Sequence, residues 1–408
     1  MHVLIAGGGV AGSVTAMALQ RAGIGATIFE AHPKTNRDVG SYFTISPNGL
    51  DALDAVGALG LAKSVGLPTR RNVLWSADGK RLGTPWLGAP LADGTPAPTM
   101  KRPSLNRLLI EEAERRGIRV EHGRALQDAR IEPDGRVTAM FADGSSETGD
   151  LLVGADGIRS VARRLIDPGA PGGRYVGLTN FGGVTPGANV DGEPEAWHMI
   201  FGRRAFFGYG AAPGGGVVWF VNWPRDQISA EERASTSDER WREQLAKLFK
   251  DDAGPAVELI RAGRLELAGD NTHDLPHVPV WHRGPIVIIG DAAHAPSPTS
   301  GQGASMAAED GIVLAKALRD LPTVADALVA YEVARRMRVE KIVAYGARGS
   351  SAKTPGRVGR VIRDSMLRFL FRYVVTDRSM AWMYDYRVEW ERPLASPSAA
   401  RAPSTRAA

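Results

Sequence analysis

The stretch "VLIAGGGVAGSVTAMALQRAGIGATIFEAH", Val3 to His32, decides the fold. His2 to Ala6 reads as a buried strand. Gly7, Gly9 and Gly12 then fill the three glycine positions of a GxGxxG turn. Val14 to Arg21 has helical composition, and Gly23 and Gly25 punctuate its end. Ala26 to Phe29 is a second apolar strand, closed by the acid Glu30. Gly7 permits a tight turn, Gly9 lets the backbone approach a pyrophosphate, and Gly12 lets the helix pack closely on the strand. The helix start, at Val10 and Ala11, offers free N–H groups and partial positive charge to phosphates. Glu30, with Ala31 after it, stands where an acid accepts from ribose hydroxyls. An acid there disfavours a 2′-phosphate, so NADP is the wrong tenant, and NAD and FAD both stay open.

The chain has 408 residues, 43% of them hydrophobic, enough for two or three domains with a sizeable core. The net charge is +5 and no block of like charges is long enough for a nucleic-acid tail, so no nucleic-acid partner is expected. There is no cysteine, which excludes disulfides, a redox dithiol, iron–sulfur ligation and a cysteinyl flavin. No metal site is expected either. The first strand begins almost at once and leaves no room for a signal peptide. No apolar run reaches about 18 residues, so neither a spanning helix nor stable membrane insertion is expected and the expected compartment is the cytoplasm.

Further along, "GSYFTISPNGLDAL" (Gly40 to Leu53) reads as a short strand, a Pro-Asn-Gly turn and a helix. "MKRPSLNRLLIEEAERRG" (Met100 to Gly117) enters a helix at Arg102–Ser104, with an inward stripe at Leu105, Leu108 and Leu109. "DLLVGADGIRSVARR" (Asp150 to Arg164) is a strand, an Ala-Asp-Gly turn and a helix, where Asp156 could serve only as a helix cap. "GPIVIIGDAAHAPSPTSGQGASMAAEDGIVLAKAL" (Gly284 to Leu318) has a parallel-type strand over Ile286 to Ile289, then Gly290-Asp291, a Pro-rich loop, Gly301-Gln302-Gly303 and a long helix. Between about Gly172 and Asp270 aromatics alternate with small residues, as in "EAWHMIFG", "AFFGYGA" and "VVWFVNWP", the period-2 pattern of antiparallel strands. "GYGAAPGGG" precedes a strand and is a hairpin turn, so there is no second dinucleotide loop. "GRVGRVIRDSMLRFLFRYVV" from Gly356 is a basic amphipathic helix that either docks across a domain seam or lies on a membrane surface.

Three motifs thus occur in order: GGGVAG with its Glu, then GADG, then GDAAH…P…GQG. From Met1 to about Leu394 the chain resembles the FAD-dependent aromatic hydroxylases, the flavoprotein monooxygenases that include para-hydroxybenzoate hydroxylase. The resemblance implies an α/β fold, a Rossmann-type FAD domain with an inserted, mostly antiparallel substrate sheet and a C-terminal helix. It implies non-covalent FAD, with Gly7 to Gly12 on the pyrophosphate and Glu30 on the adenosine ribose. Arg102 would reach the ribityl and pyrophosphate, Leu126 would offer a backbone contact near the adenine, and Asp156 is associated with both FAD and the nicotinamide donor. Asp291, after Gly290, would bond the ribityl chain, and Pro298 would pack near the reactive face of the flavin. Gly301, Gln302, Gly303, Ala304 and Ser305 would meet the isoalloxazine through the backbone. Many relatives carry Asn at position 305, so a side-chain contact from Ser305 would be shorter. His294 belongs to the motif with a role structural in appearance, acid–base work being the alternative.

The activity implied is hydroxylation of an aromatic or polycyclic apolar small molecule, with NADH or NADPH as transient donor, O2 as oxidant and a flavin C4a-hydroperoxide as the oxygen carrier. No catalytic side chain is then required, because the cofactor does the chemistry. An epoxidase, a Baeyer–Villiger-type oxygenase, an oxygen-independent flavin reductase and a flavin-binding sensor are the alternatives. A halogenase would need W-x-W-x-I-P, which "WFVNWP" does not match. Candidates for the substrate wall are Tyr42, Thr44, Phe207, Tyr209, Trp219 and Asn222, with the pocket-facing side of their strands left open. The expected division is 1–68, 99–171 and 271–350 for FAD, 69–98 and 172–270 for substrate, 351–394 helical, and a disordered tail at 395–408. The sequence leaves the oligomeric state open.

Overall fold

The computed structural model describes residues 1–34, 41–189, 193, 195–351 and 357–394. The tail at 395–408, expected to be disordered, lies outside the described residues. His2–Ala6 is central in a six-stranded sheet. Leu151–Gly154 and then Ile286–Ile288 lie to one side of it, Gly25–Glu30 and Arg119–His122 to the other, all parallel. His282–Arg283 closes one edge as an antiparallel hairpin strand. The central strands are continuous apolar runs because both faces are covered: the helix Val10–Arg21 packs on the Ile5 side, and a three-stranded antiparallel sheet (Leu126–Ile131, Val137–Phe141 and Ser146–Gly149) packs on the side of Leu4 and Phe29, where Phe141 stacks on Phe29. Val3, Leu4, Ile5, Leu151, Leu152, Val153, Val287 and Ile288 have no exposed surface. The helices Val10–Arg21 and Gly303–Asp320 pack together on this sheet.

The second sheet has seven strands, in the order Arg264–Asp274, Arg174–Thr185, Val217–Pro224, Phe206–Ala211, Ala196–Phe201, Arg71–Ser76 and Arg81–Gly83. All neighbours are antiparallel except Ala196–Phe201 with Arg71–Ser76. One hairpin turns through Ala212 to Gly216, within the glycine-rich string GYGAAPGGG. One face of the sheet is covered by the helices Asp238–Leu248 and Ala256–Ala262, which bury Trp241, Leu245, Phe249 and Ile260 against it.

Two local readings change. Residues 172–270 are not strands throughout, since Trp241, Leu245 and Leu248 fall at helical spacing and form the buried stripe of Asp238–Leu248. Pro47-Asn48-Gly49 is not a turn but the first turn of the helix Pro47–Ala55. Proline is favoured at a helix start, where its missing N–H is not needed.

Candidate functional site

The carboxyl ends of the parallel strands gather the three motifs at one edge. Gly7 has φ +107°, and a Cβ there would meet the Ala155 carbonyl oxygen at 2.3 Å. A Cβ on Gly12 would lie 1.9 Å from the Gly7 oxygen. The turn therefore closes onto both the GADG segment and its own helix, with no space for a side chain. Val10 and Ala11 are buried at the start of Val10–Arg21, which has no side-chain cap. Its first N–H groups and its dipole are left for an anion. Glu30 accepts from Gly8 N at 2.7 Å and His32 N at 2.9 Å, so its carboxylate is fixed beside the turn, with Ala31 exposed after it. Arg124 N donates to the Glu30 carbonyl, which runs the chain before the buried Leu126 alongside the same edge.

Gly290 brings in the third motif. It has φ +57°, and a Cβ there would approach Ala11 Cβ to 3.0 Å. Asp291 and Arg102, distant in sequence, meet with an Nη2–Oδ2 distance of 3.5 Å. Asp156 does cap a helix: its Oδ2 accepts from Val161 N at 2.7 Å and Ala162 N at 3.1 Å. Its Oδ1 is buried without a partner. An orphaned carboxylate oxygen beside a cradle of open amides fits a sugar hydroxyl as donor. With the acid at Glu30 and the Arg102–Asp291 pair, this donor set suits a dinucleotide.

In the Gly-Gln-Gly loop only the backbone is on offer. Pro298 is exposed at the start of a single turn, Pro298–Ser300, and Gly301 is left-handed at φ +63°. Gln302 turns inward, donating to Ser46 Oγ at 2.9 Å and accepting from Asn48 Nδ2 at 2.9 Å. Ser305 Oγ is fully buried and accepts from Ser46 N at 3.2 Å. The side chain of Ser305 thus serves the helix Pro47–Ala55, while Gly303 and Ala304 are half-buried at the helix start. The helix Gly303–Asp320 has no side-chain cap and no acid in its first turn, so its N-terminal dipole is uncompensated there.

Beneath the loops lies a buried ionic network that sequence reasoning missed. His294 Nε2 is 2.6 Å from Asp310 Oδ2, which also accepts from Gly290 N at 2.8 Å. Arg335 pairs with Asp310 at 2.7 Å and Glu309 at 2.6 Å, and Arg338 and Asn48 complete the Glu309 shell. Burial pushes the Asp310 carboxyl up, but His294 and Arg335 outweigh it and hold its pKa at about 2. Glu309 is likewise held below the usual carboxylate range: burial opposes this, and Arg335 and Arg338 prevail. His294 is 3% exposed and serves this network. The signal was the pair Glu309-Asp310 inside an apolar helix, with Arg335 and Arg338 one turn apart further on.

The register of the second sheet decides which aromatics face the nucleotide edge. Tyr209 lies opposite Trp219 and Phe207 opposite Val221, and all four are buried against the helices on the outer face. Phe207, Tyr209 and Trp219 are therefore core residues and leave the substrate list; Trp219 Nε1 donates inward to Thr185 Oγ1. The alternate residues face the other way. Trp197, Val218, Met199 and Phe220 cluster with Tyr42, and Trp197 Nε1 donates to Thr44 Oγ1 at 3.2 Å and Thr99 Oγ1 at 3.0 Å. Thr99 belongs to the strand Pro98–Lys101 that runs straight into Arg102, so this face looks onto the nucleotide unit. Asn222 shares it, since its row includes Phe206 and Asn180, and its amide donates to Asn180 Oδ1 at 2.5 Å. Tyr42, Thr44 and Asn222 thus lie on that side. Trp197, Met199 and Phe220 were missed because alternation names two faces without ranking them. Among the described residues no cluster of acids and histidines is placed to hold a metal, and no helix is long and apolar enough to cross a membrane.

The family model described as "FAD binding domain" matches residues 1–345. The chain is 30% identical over 352 residues to an FAD-dependent urate hydroxylase of Klebsiella pneumoniae, covering 84% of this chain and 88% of that one. It is 31% identical over 368 residues to 3-hydroxybenzoate 6-hydroxylase 1 of Aquipseudomonas alcaligenes, covering 84% and 87%. The crystal structure of Klebsiella pneumoniae HpxO complexed with FAD and uric acid superimposes with a TM-score of 0.78 at 25% identity, over 94% of this chain and 97% of that one.

Proposed function

Since the chain belongs to the FAD-dependent aromatic hydroxylases, a monooxygenase family, we propose that it takes electrons from NADH or NADPH and places one atom of O2 on an aromatic or polycyclic apolar molecule. The observation that supports this reading most is the convergence of three separated glycine motifs on one sheet edge, under a sheet face carrying Trp197, Phe220 and Met199. A cytoplasmic location goes with a nicotinamide donor.

Bound FAD supplies the electron storage and oxygen activation that no side chain here can provide. The chain's own residues do the rest. The amides of Val10, Ala11 and Gly12 hold the pyrophosphate, and Glu30 accepts from the adenosine ribose, with Ala31 and the Leu126 backbone beside it. Arg102 and Asp291 hold the ribityl and phosphate between them, and the Asp156 Oδ1 accepts from a hydroxyl. The amides of Gly303 to Ser305 and the dipole of their helix would favour negative charge on a flavin ring held there, with Pro298 beside it. Trp197, Phe220, Met199 and Tyr42 exclude water and stack a flat substrate, while Asn222 with Asn180 offers one polar anchor. The FAD unit is formed by 1–68, 99–171 and 271–350 and the substrate unit by 69–98 and 172–270.

Denaturing the purified yellow protein should release FAD. Adding NADH or NADPH with a panel of aromatic and heteroaromatic acids, quinones and quinolines should then give oxygen uptake that rises with one substrate class and a product one oxygen atom heavier. Release of no flavin, or uptake that gives hydrogen peroxide with every compound, would overturn the reading.

A further inference from the structure

Among its described side chains, the helix Arg357–Tyr373 docks by one edge. Arg363 is buried, its guanidinium lying over the Phe201 ring and donating to the Phe201 carbonyl at 3.2 Å. Phe371 presses on the strand Arg81–Gly83, so closely that a Cβ on Gly83 would lie 2.5 Å from it. Turned away from Arg363 are Ile362, Met366, Phe369 and Tyr373 at helical spacing, with Val361 and Val374 at the two ends of this stretch. These six are between 48% and 69% exposed, the densest group of exposed large apolar residues among those described. The helix has five arginines and one aspartate in its sequence. Arg368 and Arg372 border the stripe, both exposed, and Arg372 stacks on Tyr373. With Arg81, Leu82, Phe369 and Tyr373 they line a groove of about 420 Å³ between the helix and the strand Arg81–Gly83.

We propose that this helix is a membrane-docking element: its apolar stripe enters the interfacial layer of an anionic bilayer, and the arginine groove takes a lipid phosphate. An amphipathic helix binds in this way when arginines flank an apolar face, since burial and attraction to anionic headgroups add together. Among the described residues nothing covers the stripe. The chain's remaining segments, 35–40, 190–192, 194, 352–356 and 395–408, hold only Val39 and Val190 as large apolar residues. A second copy is also a poor fit, because an isologous pairing through this stripe would bring Arg368 and Arg372 against their own equivalents. The long helix Val324–Ser351 makes the contrast plain. Its exposed Val329, Val333 and Met337 are bordered by Glu332, Arg336 and Glu340, already paired with one another. The docked edge touches Phe201, next to Phe206, and both lie on the sheet face that carries Asn222. Docking would therefore bring that end of the pocket to the bilayer, where a lipophilic aromatic substrate partitions. This last step rests on the proposed function, whereas the docking does not.

The test is flotation of the FAD-loaded protein with phosphatidylcholine vesicles, with and without about one-third phosphatidylglycerol. The protein should float with the anionic vesicles and be released by high salt. Ile362→Ser with Phe369→Ser, and separately Arg368→Gln with Arg372→Gln, should each weaken binding by about tenfold or more while the bound flavin and the melting temperature stay unchanged. Should a variant misfold, hydrogen exchange on the unaltered protein decides: anionic vesicles should slow exchange across 357–374 and leave the glycine loops unaffected. The proposal falls if the protein does not float, floats equally with pure phosphatidylcholine, or forms a dimer that Phe369→Ser dissolves. Because no substrate or reductant is present, an inactive enzyme would not disturb this outcome.

Discussion

The nucleotide edge and the aromatic sheet face each other, yet they are built on opposite rules. The edge is built from backbone: Gly7, Gly12 and Gly290 bring main chain from three motifs to within contact, and it presents amides with a few fixed carboxylates. The sheet works through side chains, and its two faces differ only in the parity of a register. A backbone site fails as a whole when one close approach is blocked. A side-chain wall fails by degrees, residue by residue. Recognition by backbone also leaves a stronger trace in sequence, because only glycine satisfies such a contact.

The sharpest way to break the first half of the comparison is Gly12→Val. Its Cβ would fall on the Gly7 oxygen, so the turn must open, and FAD affinity should drop by about 1000-fold or more, equivalent to about 4 kcal/mol. Colourless purified protein, checked by absorbance and by titration with FAD, is the expected result. Trp219→Ala and Trp197→Ala test the two faces of the sheet. Trp219 is fully buried against the outer helices, so its loss should cost about 3–5 kcal/mol of stability in a denaturant melt while turnover at low temperature stays coupled. Trp197→Ala should instead raise the share of reductant that ends as hydrogen peroxide; equal coupling in both variants would place the pocket elsewhere.

The ionic layer beneath the edge gives the next effect. Asp310 is held at about 2, below its ordinary 3.8, so its contribution of about 2 kcal/mol is complete above about pH 4 and is lost as pH falls toward 2. Acid unfolding followed by flavin release should show this, and Asp310→Asn should flatten that part of the curve while lowering stability at neutral pH. Arg102→Gln should give the smallest change. The side chain is 60% exposed and 3.5 Å from Asp291, so melting should be unaltered and FAD should bind about tenfold more weakly.

Much of the edge was readable from residue order alone. Strand, glycine turn, helix, strand and acid in Val3–His32 define a local unit whose geometry is set by neighbours in the chain, and the structure has that unit. Asp156 was readable as a helix cap, and its other carboxylate oxygen is left buried without a partner. The Glu309, Asp310, Arg335 and Arg338 network was not legible, since charges a whole helix apart reveal their pairing only when the two helices pack. Nor was the shared sheet face of Trp197, Met199 and Phe220.

Sequence by itself determined the nucleotide-binding unit, the order of its motifs and the family, because backbone close approach demands glycine at particular places and leaves no substitute. Tertiary structure decided which aromatics face the nucleotide edge, what holds the loops from below, and which side of the helix Arg357–Tyr373 stays bare. Those are matters of parity and pairing between distant segments. A period-2 strand has two equivalent faces until a neighbouring helix buries one of them, and here Asp238–Leu248 and Ala256–Ala262 make that choice.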